Sequence, residues 1–286
     1  MGINKVNDLV VRTISGAVML LVVVGALIWS KWSAGALFAV IMLGGLVEFY
    51  RLCKVRAISP MCSIGIATAI AIFGLSFAVF VQWDEVVTET TSRIVLGALL
   101  YTMLIVPITF VCELWRKSST PIANIATTFM GVIYVALPMA MVLYIPILLV
   151  GAWNPWVMLA FISIIWVNDV FAYLVGVTIG KHRLCERISP KKSWEGFFGG
   201  LIGAIGVAVL FGYLFDGAYS LLEWGGLGLV TALAGVMGDL IESMMKREAG
   251  VKDSGKMMPG HGGFLDRFDA LYLAVPFALV YLIIIS

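Results

Sequence analysis

Chemistry-bearing residues crowd into one stretch of an otherwise apolar chain, KDSGKMMPGHGGFLDRFD at residues 252–269. The stretch combines lysines and an arginine with three aspartates, four glycines and a histidine. Basic side chains form charge-assisted hydrogen bonds with phosphate oxygens, and glycine-rich turns expose backbone N–H groups to anions. Carboxylates hold hard cations such as Mg²⁺, which in turn bridge phosphates. This combination predicts a site that handles phosphate groups, whereas a site for a fatty chain alone needs none of these residues.

Three more carboxylates lie inside apolar segments. Asp169 occurs in WVNDVFAY, and Asp239 and Glu242 occur in GDLIES. An ionised carboxylate at the centre of a bilayer costs roughly 2.5–3.5 kcal/mol, so each of these acids needs a cation, a proton or a metal. Because Asp239 and Glu242 are three positions apart, they share one face of a helix. We expect these acids to line one pocket, with a buried ion pair that only fixes helix register as the alternative.

A second polar segment, KHRLCERISPKKSWEG at 181–196, precedes the seventh apolar stretch. The residues just before that helix include Ser189, Lys191, Lys192 and Ser193, and hydroxyls and lysines at a helix N-terminus favour binding of an anion. Basic residues at a helix end can also set membrane topology or contact anionic headgroups. We favour this second interpretation for the earlier basic residues, Lys181, Arg183 and Arg187, and predict phosphate binding by Lys192 and Ser193.

The composition indicates an integral membrane protein. The chain is 61% hydrophobic and 13% charged, with a mean hydropathy of +1.03, whereas about one quarter of a soluble domain is charged. About 20 apolar residues suffice for a membrane-spanning helix, and a membrane barrel would instead show short alternating segments. We therefore predict an all-α polytopic membrane protein with about nine transmembrane helices. The predicted spans are 12–30, 33–50, 60–82, 93–113, 122–150, 155–180, 195–215, 224–245 and 268–285.

The distribution of basic residues predicts how the chain crosses the membrane. With a cytoplasmic N-terminus and nine spans, every one of the 19 basic residues except Lys31 and Arg93 lies on the cytoplasmic side, as the positive-inside rule expects. The C-terminus then lies outside. The fifth span, 122–150, contains Pro138 and Pro146, so it is either one kinked helix or a tight hairpin.

The chain divides into two regions that differ in how many ionisable residues lie within their apolar spans. Residues 1–150 hold few ionisable groups within their spans and are predicted to be a transmembrane scaffold of about five spans. Residues 151–286 carry the intramembrane acids and two cytoplasmic loops, 181–194 and 246–267, and are predicted to be the catalytic region. Glu48 is interpreted as an interface residue at the end of the second span. The net charge of +2 argues against a nucleic-acid partner, and Gly199 and Gly203 predict close helix packing.

The stretch from Ser243 to Asp269 resembles the signature of the phosphatidate cytidylyltransferases, also called CDP-diacylglycerol synthases. WVNDVFAY and ISPKKSWEGFFGG also resemble the family, and the similarity covers about 155–275, while the first half resembles it only in its pattern of spans. Met258 departs from the family pattern, but one apolar residue replaces another. The matching residues are Ser243, Lys246, Arg247, Lys252, Asp253, His261, Gly262, Gly263, Asp266, Arg267 and Asp269.

The resemblance implies that CTP and phosphatidic acid give CDP-diacylglycerol and pyrophosphate, with the lipid phosphate attacking the α-phosphorus of CTP. It places Mg²⁺ at Asp239 and Asp266, with Asp169 and Glu242 supporting the metal, and leaves open a second, monovalent cation such as K⁺. It further implies a homodimer in a bacterial inner membrane, with the active site open to the cytoplasm.

We assign the remaining matching residues as hypotheses. Asp253 and Asp269 orient basic groups or join a second cation site, and His261 either donates to the leaving pyrophosphate or caps a turn. The residues predicted to hold phosphates are Lys192, Lys246, Arg247, Lys252 and Arg267. The residues predicted to contact substrate are Ser189, Ser193, Gly262 and Gly263.

Two other functions remain as alternatives. A CTP-dependent lipid kinase, of the polyprenol or phytol type, would transfer the γ-phosphate to an alcohol, and the long run 252–263 argues against it. A secondary transporter would use Asp169 and Asp239 as cation or proton sites. Transporters usually show repeated halves, whereas the polar residues of this chain lie mainly in its second half.

Overall fold

The computed structural model describes residues 3–54, 58–83, 89–215, 219–255, 257 and 262–286, without the side chains of 3–12, 89–92, 95 and 99. Helices dominate this part of the chain, and one β-hairpin interrupts them. The helices are α1 (Ile3–Trp29), α2 (Lys31–Leu52), α3 (Cys62–Val81), α4 (Glu89–Arg116), α5 (Pro121–Gly131), α6 (Leu137–Met141), α7 (Tyr144–Val150), α8 (Pro155–Ile179), α9 (Trp194–Leu214), α10 (Leu221–Glu248) and α11 (Leu265–Ile285). The strands are β1 (Arg183–Cys185) and β2 (Ser189–Ser193).

Eight helical segments of the described chain are long and apolar enough to cross a membrane. Six of them are the helices α2, α3, α8, α9, α10 and α11. The other two are Leu96–Arg116 within α4 and Pro121–Met141, which runs from α5 through α6. The first predicted span, 12–30, falls almost entirely in α1, and the part of α1 with described side chains, Thr13–Trp29, is apolar. The all-α polytopic fold class is therefore confirmed, while the sidedness of the termini stays a prediction.

The fifth apolar stretch, 122–150, is one interrupted helix and not a hairpin. Between α5 and α6 the backbone forms a π-helical turn, Val132–Ala136, just before Pro138. A proline lacks the N–H for the helical ladder and clashes with the carbonyl one turn earlier, which accounts for the wider turn. Val142 and Leu143 keep right-handed helical dihedrals, with φ of −58° and −67°. The chain therefore does not reverse before α7.

Polar residues define where the helices of the second half begin. The Asn154 side chain accepts hydrogen bonds from two backbone N–H groups at the start of α8, and Pro155 follows it. Ser220 and Glu223 form a capping box at the start of α10. These residues satisfy N–H groups that have no partner within the helix. The long apolar segments thus start at fixed positions.

Glycines allow α9 to pack closely on α8, as the spacing of Gly199 and Gly203 predicts. A Cβ atom at Gly199 would lie 2.5 Å from Val175, and one at Gly203 would lie 2.6 Å from Phe171. A Cβ at Gly200 would lie 2.7 Å from Asn168 Oδ1. Small residues at such spacing let helix backbones approach each other within a membrane. The predicted close packing is therefore confirmed, and α8 and α9 form one wall of the bundle.

We expect Gly200→Ala to destabilise this wall and Gly206→Ala to leave it intact. The added methyl group at 200 meets both the side chain and the backbone of Asn168, and such overpacking costs about 1–3 kcal/mol. Position 206 lies on the same helix with nothing within 4 Å of an added Cβ, and alanine is the better helix former by about 1 kcal/mol. Thermal unfolding in detergent measures the difference. Equal melting temperatures for the two variants would contradict the close packing.

The polar segments of the chain meet at one end of the bundle. Glu48 near the end of α2 accepts a hydrogen bond from the backbone N–H of Leu265 at the start of α11. Lys246 near the end of α10 contacts Asp266, and Arg247 donates to the carbonyl of Ile188 in the hairpin turn. The loops predicted to share one side of the membrane therefore share one end of the structure.

The segment 181–194 forms a β-hairpin, which the sequence analysis did not predict. Strands β1 and β2 pair antiparallel, with Arg183 opposite Ser193 and Cys185 opposite Ser189. The backbone N–H of Trp194 also donates to the carbonyl of His182, at 2.9 Å. The hairpin therefore ends directly at the first turn of α9 and places its basic residues beside α8 and α10.

Candidate active site

A cavity of about 630 Å³ lies between α8, the hairpin, the start of α9 and the middle of α10. This volume is within the range of small-molecule binding sites. Its wall combines apolar positions with charged and hydroxyl groups. The polar residues that line it include Asp169, Arg183, Lys191, Lys192, Ser193 and Asp239. Two of the predicted intramembrane acids and two of the predicted phosphate-binding residues therefore face the same space.

The N-terminus of α9 opens onto this cavity. Ser193 is 4% exposed, and its Oγ accepts a hydrogen bond from the backbone N–H of Gly196 at 3.2 Å. Gly176 and Gly180 of the neighbouring helix end leave room for this hydroxyl. The first N–H groups of a helix, together with its dipole, favour an anion. The structure thus places Ser193 at a helix end that suits a phosphate group, while Ser189 lies four residues earlier, at the start of β2.

Lys192 links the hairpin to the acids of α10. Its Nζ lies 2.5 Å from Asp239 Oδ2, and the two side chains are 26% and 36% exposed. Both groups line the cavity, so each can also reach a bound ligand. Asp169 lies on the same wall, 3.5 Å from the amide nitrogen of the buried Asn168. Positive and negative groups therefore alternate around the cavity, which suits a phosphate ligand that carries its own cation.

A cluster of three carboxylates lies at the junction of α10 and α11. Oxygen atoms of Asp239, Glu242 and Asp269 lie within 4.8 Å of one another. Glu242 is fully buried, and its Oε1 has no hydrogen-bond partner among the described residues. An unpartnered buried carboxylate oxygen is costly unless a cation neutralises it. Three hard oxygen donors at this spacing fit a divalent cation such as Mg²⁺.

Lys246 provides the positive charge next to this cluster. Its Nζ lies 2.5 Å from Glu242 Oε2 and 2.7 Å from Asp266 Oδ1. All three side chains are 13% exposed or less. The role predicted for Lys246 was binding of a phosphate, which stays a prediction. In the structure its contacts are two carboxylates, which it holds together in a poorly solvated position.

Asp266 accepts more hydrogen bonds from the glycine-rich loop than Asp239, Glu242 or Asp269 does. Its Oδ2 accepts hydrogen bonds from the backbone N–H groups of Ser254 and Gly263, both at 2.8 Å, and from Ser254 Oγ at 2.9 Å. Gly262 adopts a positive φ of +86°, and a Cβ there would lie 2.6 Å from Asp266 Oδ2. Glycine is needed at 262 because its φ is positive and because a side chain there would clash with Asp266. The structure groups Asp239 with Glu242 and Asp269, and it joins Asp266 to them through Lys246. The assignment of Asp266 as a metal ligand stays a prediction.

Four other predicted site residues, Arg247, Lys252, Asp253 and Arg267, are exposed and do not belong to the lining of this cavity. Arg247 is exposed and donates to the carbonyls of Ile188 and Val251, each at 3.4 Å. Lys252 and Asp253 are exposed in the segment after α10, and Arg267 is exposed beside the cluster. His261 lies outside the described residues. The roles predicted for these side chains stay predictions.

Sequence reasoning missed one basic residue that lines the cavity, Arg183, which was interpreted as a topology determinant. Lys191, which the sequence places beside Lys192 before α9, also lines the cavity. The sequence carries no clear strand signal here, because β1 and β2 are short and lack the alternating apolar residues that mark a strand. The pairing of β1 with β2 places both residues on the cavity wall.

Comparisons with known proteins identify the family of this chain. A family model described as the cytidylyltransferase family matches residues 10–285. The chain is 29% identical over 301 aligned positions to a protein of Synechocystis sp., with 96% of each chain covered. It is 45% identical over 120 residues to a protein of Staphylococcus aureus, covering 42% of this chain and 46% of that protein.

A protein of Haemophilus influenzae is 46% identical over 118 residues, covering 40% of this chain and 41% of that protein. These last two matches thus span less than half the length of those relatives. All three relatives are named phosphatidate cytidylyltransferase. The match over almost the whole chain, together with the acids and basic residues around the cavity, shows that this chain belongs to the cytidylyltransferase family and is a nucleotidyltransferase.

Proposed function

We propose that this protein transfers the cytidylyl group of CTP to phosphatidic acid, which yields CDP-diacylglycerol and pyrophosphate. One observation carries the proposal. A polar cavity with lysines, a helix N-terminus and adjacent carboxylates lies inside a bundle of apolar helices. A water-soluble nucleotide and a membrane lipid can both reach such a position. The names of these relatives point to the same pair of substrates.

In this reaction an oxygen of the lipid phosphate attacks the α-phosphorus of CTP, and the bond to the β-phosphate breaks. At neutral pH a phosphate monoester has already lost most of its second proton, so the nucleophile needs no protein base. The protein's main task is to bring several negative groups together and to hold the attacking and leaving oxygens in line. No covalent enzyme intermediate is required.

The basic residues of the cavity supply charge for this task. Lys192, Lys191 and Arg183 line the cavity and neutralise phosphate oxygens of the two substrates. The N–H groups at the start of α9, beside Ser193, stabilise an anion without adding a mobile charge. Such groups stabilise the transition state most when they are fixed before the reaction begins.

The carboxylate cluster fits a Mg²⁺ ion, for which Asp239, Glu242 and Asp269 offer oxygen ligands. When bound there, Mg²⁺ would neutralise phosphate charge and polarise phosphoryl oxygens. Lys246 keeps Glu242 and Asp266 in place beside it. Asp169 lies on the cavity wall and is suited to hold water around the ion.

The membrane location of the protein follows from its apolar helices, and its orientation belongs to the proposal. CTP is a cytoplasmic metabolite, and the loops that build the site carry most of the basic residues. Both points support a site that opens to the cytoplasm from a bacterial inner membrane. The homodimer implied by the family resemblance stays a prediction.

The proposed reaction is tested with purified full-length protein in detergent, phosphatidic acid, Mg²⁺ and CTP labelled at the α-phosphate. We expect the label to enter the lipid fraction, and we expect EDTA to stop the transfer because the metal site is emptied. Restoring Mg²⁺ in excess over EDTA should restore the transfer, which serves as the control for damage by the chelator.

Absence of α-label in the lipid from the untreated protein would overturn the proposal. A parallel assay with γ-labelled CTP and a polyprenol then distinguishes a lipid kinase, because only a kinase would label that alcohol. Transfer that continues undiminished in EDTA would leave the reaction in place but would contradict the metal assignment.

A further inference from the structure

Glu48 is a buried carboxylate in the first half of the chain. It contacts Ser254 and Leu265, which lie in the stretch 243–269 that resembles the family signature. It lies near the end of α2, within the predicted scaffold, and is 3% exposed. Its Oε2 accepts hydrogen bonds from Ser254 Oγ and from the backbone N–H of Leu265, both at 2.9 Å. The sequence-based interpretation of Glu48 as an interface residue is therefore wrong. That interpretation failed because the partners of Glu48 lie more than 200 positions away.

The two hydrogen bonds of Glu48 hold both ends of one loop. Ser254 lies just after α10, and Leu265 is the first residue of α11. The N-cap residue of α11, Phe264, makes no side-chain capping bond. The first N–H groups of a helix need outside acceptors, and a carboxylate there also interacts favourably with the helix dipole. Glu48 therefore caps α11 from a different helix.

Two glycines of the loop make room for this carboxylate. Side-chain atoms of Glu48 occupy the space that a Cβ would fill at Gly255 and at Gly263, with Glu48 Cδ at 2.6 and 2.5 Å from those positions. The backbone of the loop thus passes close to the carboxylate on both sides. Glycine at 255 and 263 is explained by this contact, since neither residue has a positive φ.

The contacts of Glu48 continue into the carboxylate cluster. Ser254 Oγ lies 2.9 Å from Glu48 Oε2 and also 2.9 Å from Asp266 Oδ2. Asp266 contacts Lys246, which contacts Glu242. A carboxylate in α2 is thus connected to the cluster through one serine, one aspartate and one lysine. Outer residues of this kind orient the groups that hold a metal and typically change affinity or activity about 10- to 100-fold when lost.

We propose that Glu48 is a positioning residue, which holds Ser254 and the start of α11 so that Asp266 and Asp269 meet Lys246, Asp239 and Glu242. This inference rests on the proposed function for its kinetic readout. It also predicts a property of the free protein, because the segment around Ser254 should open more often once it has lost its acceptor, and tryptic cleavage requires such local opening. Lys252 and Lys256 in the loop are sites for trypsin.

The test compares Glu48→Ala, Glu48→Gln and the wild type as full-length proteins in detergent. We expect Glu48→Ala to lower kcat of the folded protein about 10- to 100-fold and to raise the Mg²⁺ concentration for half-maximal activity about tenfold. Trypsin should cut Glu48→Ala after Lys252 or Lys256 several times faster than the wild type. Glutamine keeps an oxygen that accepts hydrogen bonds, so Glu48→Gln should lie closer to the wild type in both measurements.

Glu113→Ala is the matched control. Glu113 is 2% exposed and contacts Arg116 and Asn124 at 2.7 and 2.6 Å, with no described contact to the loop. Its loss should lower the melting temperature without changing the Mg²⁺ requirement or the cleavage after Lys252. A Glu48→Ala protein with wild-type kcat, Mg²⁺ requirement and tryptic cleavage would overturn the proposal, and so would equal changes in Glu113→Ala.

Ser254→Ala provides a second route if Glu48→Ala does not fold. It removes the hydroxyl between Glu48 and Asp266 and leaves both carboxylates in place, so faster tryptic cleavage and a raised Mg²⁺ requirement are expected again. Unchanged values would overturn the proposal. Failure of the proposed function is recognised separately, because the wild type would then label no lipid while the tryptic comparison still reports on Glu48.

Discussion

Replacing Asp239 with asparagine should lower transfer of the α-label to lipid about a thousandfold or more. Asp239 belongs to the three-carboxylate cluster and also contacts Lys192 across the cavity. Its loss removes a cation ligand and leaves Lys192 without its anion. Metal assistance contributes several kcal/mol to the transition state, and each 1.36 kcal/mol is a factor of ten in rate. Initial rates with α-labelled CTP, at saturating Mg²⁺, measure the effect.

Glu223→Gln is the control for Asp239→Asn. Glu223 is an acid of the same helix at its opposite end, where it takes part in the capping box with Ser220. Glutamine serves equally well in a capping box, so activity should stay within about twofold of the wild type. An Asp239→Asn protein that retains more than a tenth of wild-type activity would contradict the placement of the metal in this cluster.

The second large effect is expected for Lys246→Met, which should lose both stability and activity. The substitution leaves the carboxylates of Glu242 and Asp266 buried without their cation. Breaking a buried ion pair by removal of one partner costs about 3–5 kcal/mol, which corresponds to a fall in melting temperature of roughly 10 °C. Thermal unfolding in detergent, followed by a single-point transfer assay, measures both losses.

A compensating variant separates the two losses. Adding Glu242→Gln to Lys246→Met removes one of the two stranded charges, so part of the lost melting temperature should return. Activity should not return, because Glu242 also belongs to the carboxylate cluster. A wild-type melting temperature for Lys246→Met alone would show that the contacts of Lys246 with Glu242 and Asp266 contribute nothing to stability.

Much of the architecture could be predicted from local sequence patterns. Continuous apolar runs of about 20 residues predict helices in a bilayer. A helix is the structure in which one segment satisfies all of its own backbone hydrogen bonds. The spacing of Gly199 and Gly203 likewise predicts a close helix contact, and the structure contains it. The position of Asp239 within an apolar segment predicts a functional role from the sequence alone. These properties depend on residues that are neighbours along the chain or along one helix.

The contacts between distant segments could not be predicted in the same way. Nothing near Glu48 in the sequence indicates Ser254 as its partner. The grouping of Asp239 with Asp269 depends on which faces of α10 and α11 pack together. Hydrophobic periodicity does not specify this packing. The hairpin at 183–193 is too short and too polar to stand out from a loop. Sequence therefore predicts individual candidates for the site, whereas the contacts among them follow only from the structure.

The hydrogen bond between Glu48 and Leu265 also affects the order in which the protein is assembled. It joins residues 217 positions apart, and helices α3 to α10 lie between them. Long-range contacts form late because the intervening chain must first be ordered. The ribosome synthesises α2 long before α11, so the carboxylate of Glu48 lacks its partner Leu265 until the end of synthesis. Asp266 and Asp269 belong to α11, so a nascent chain that stalls before α11 lacks two acids of the proposed site.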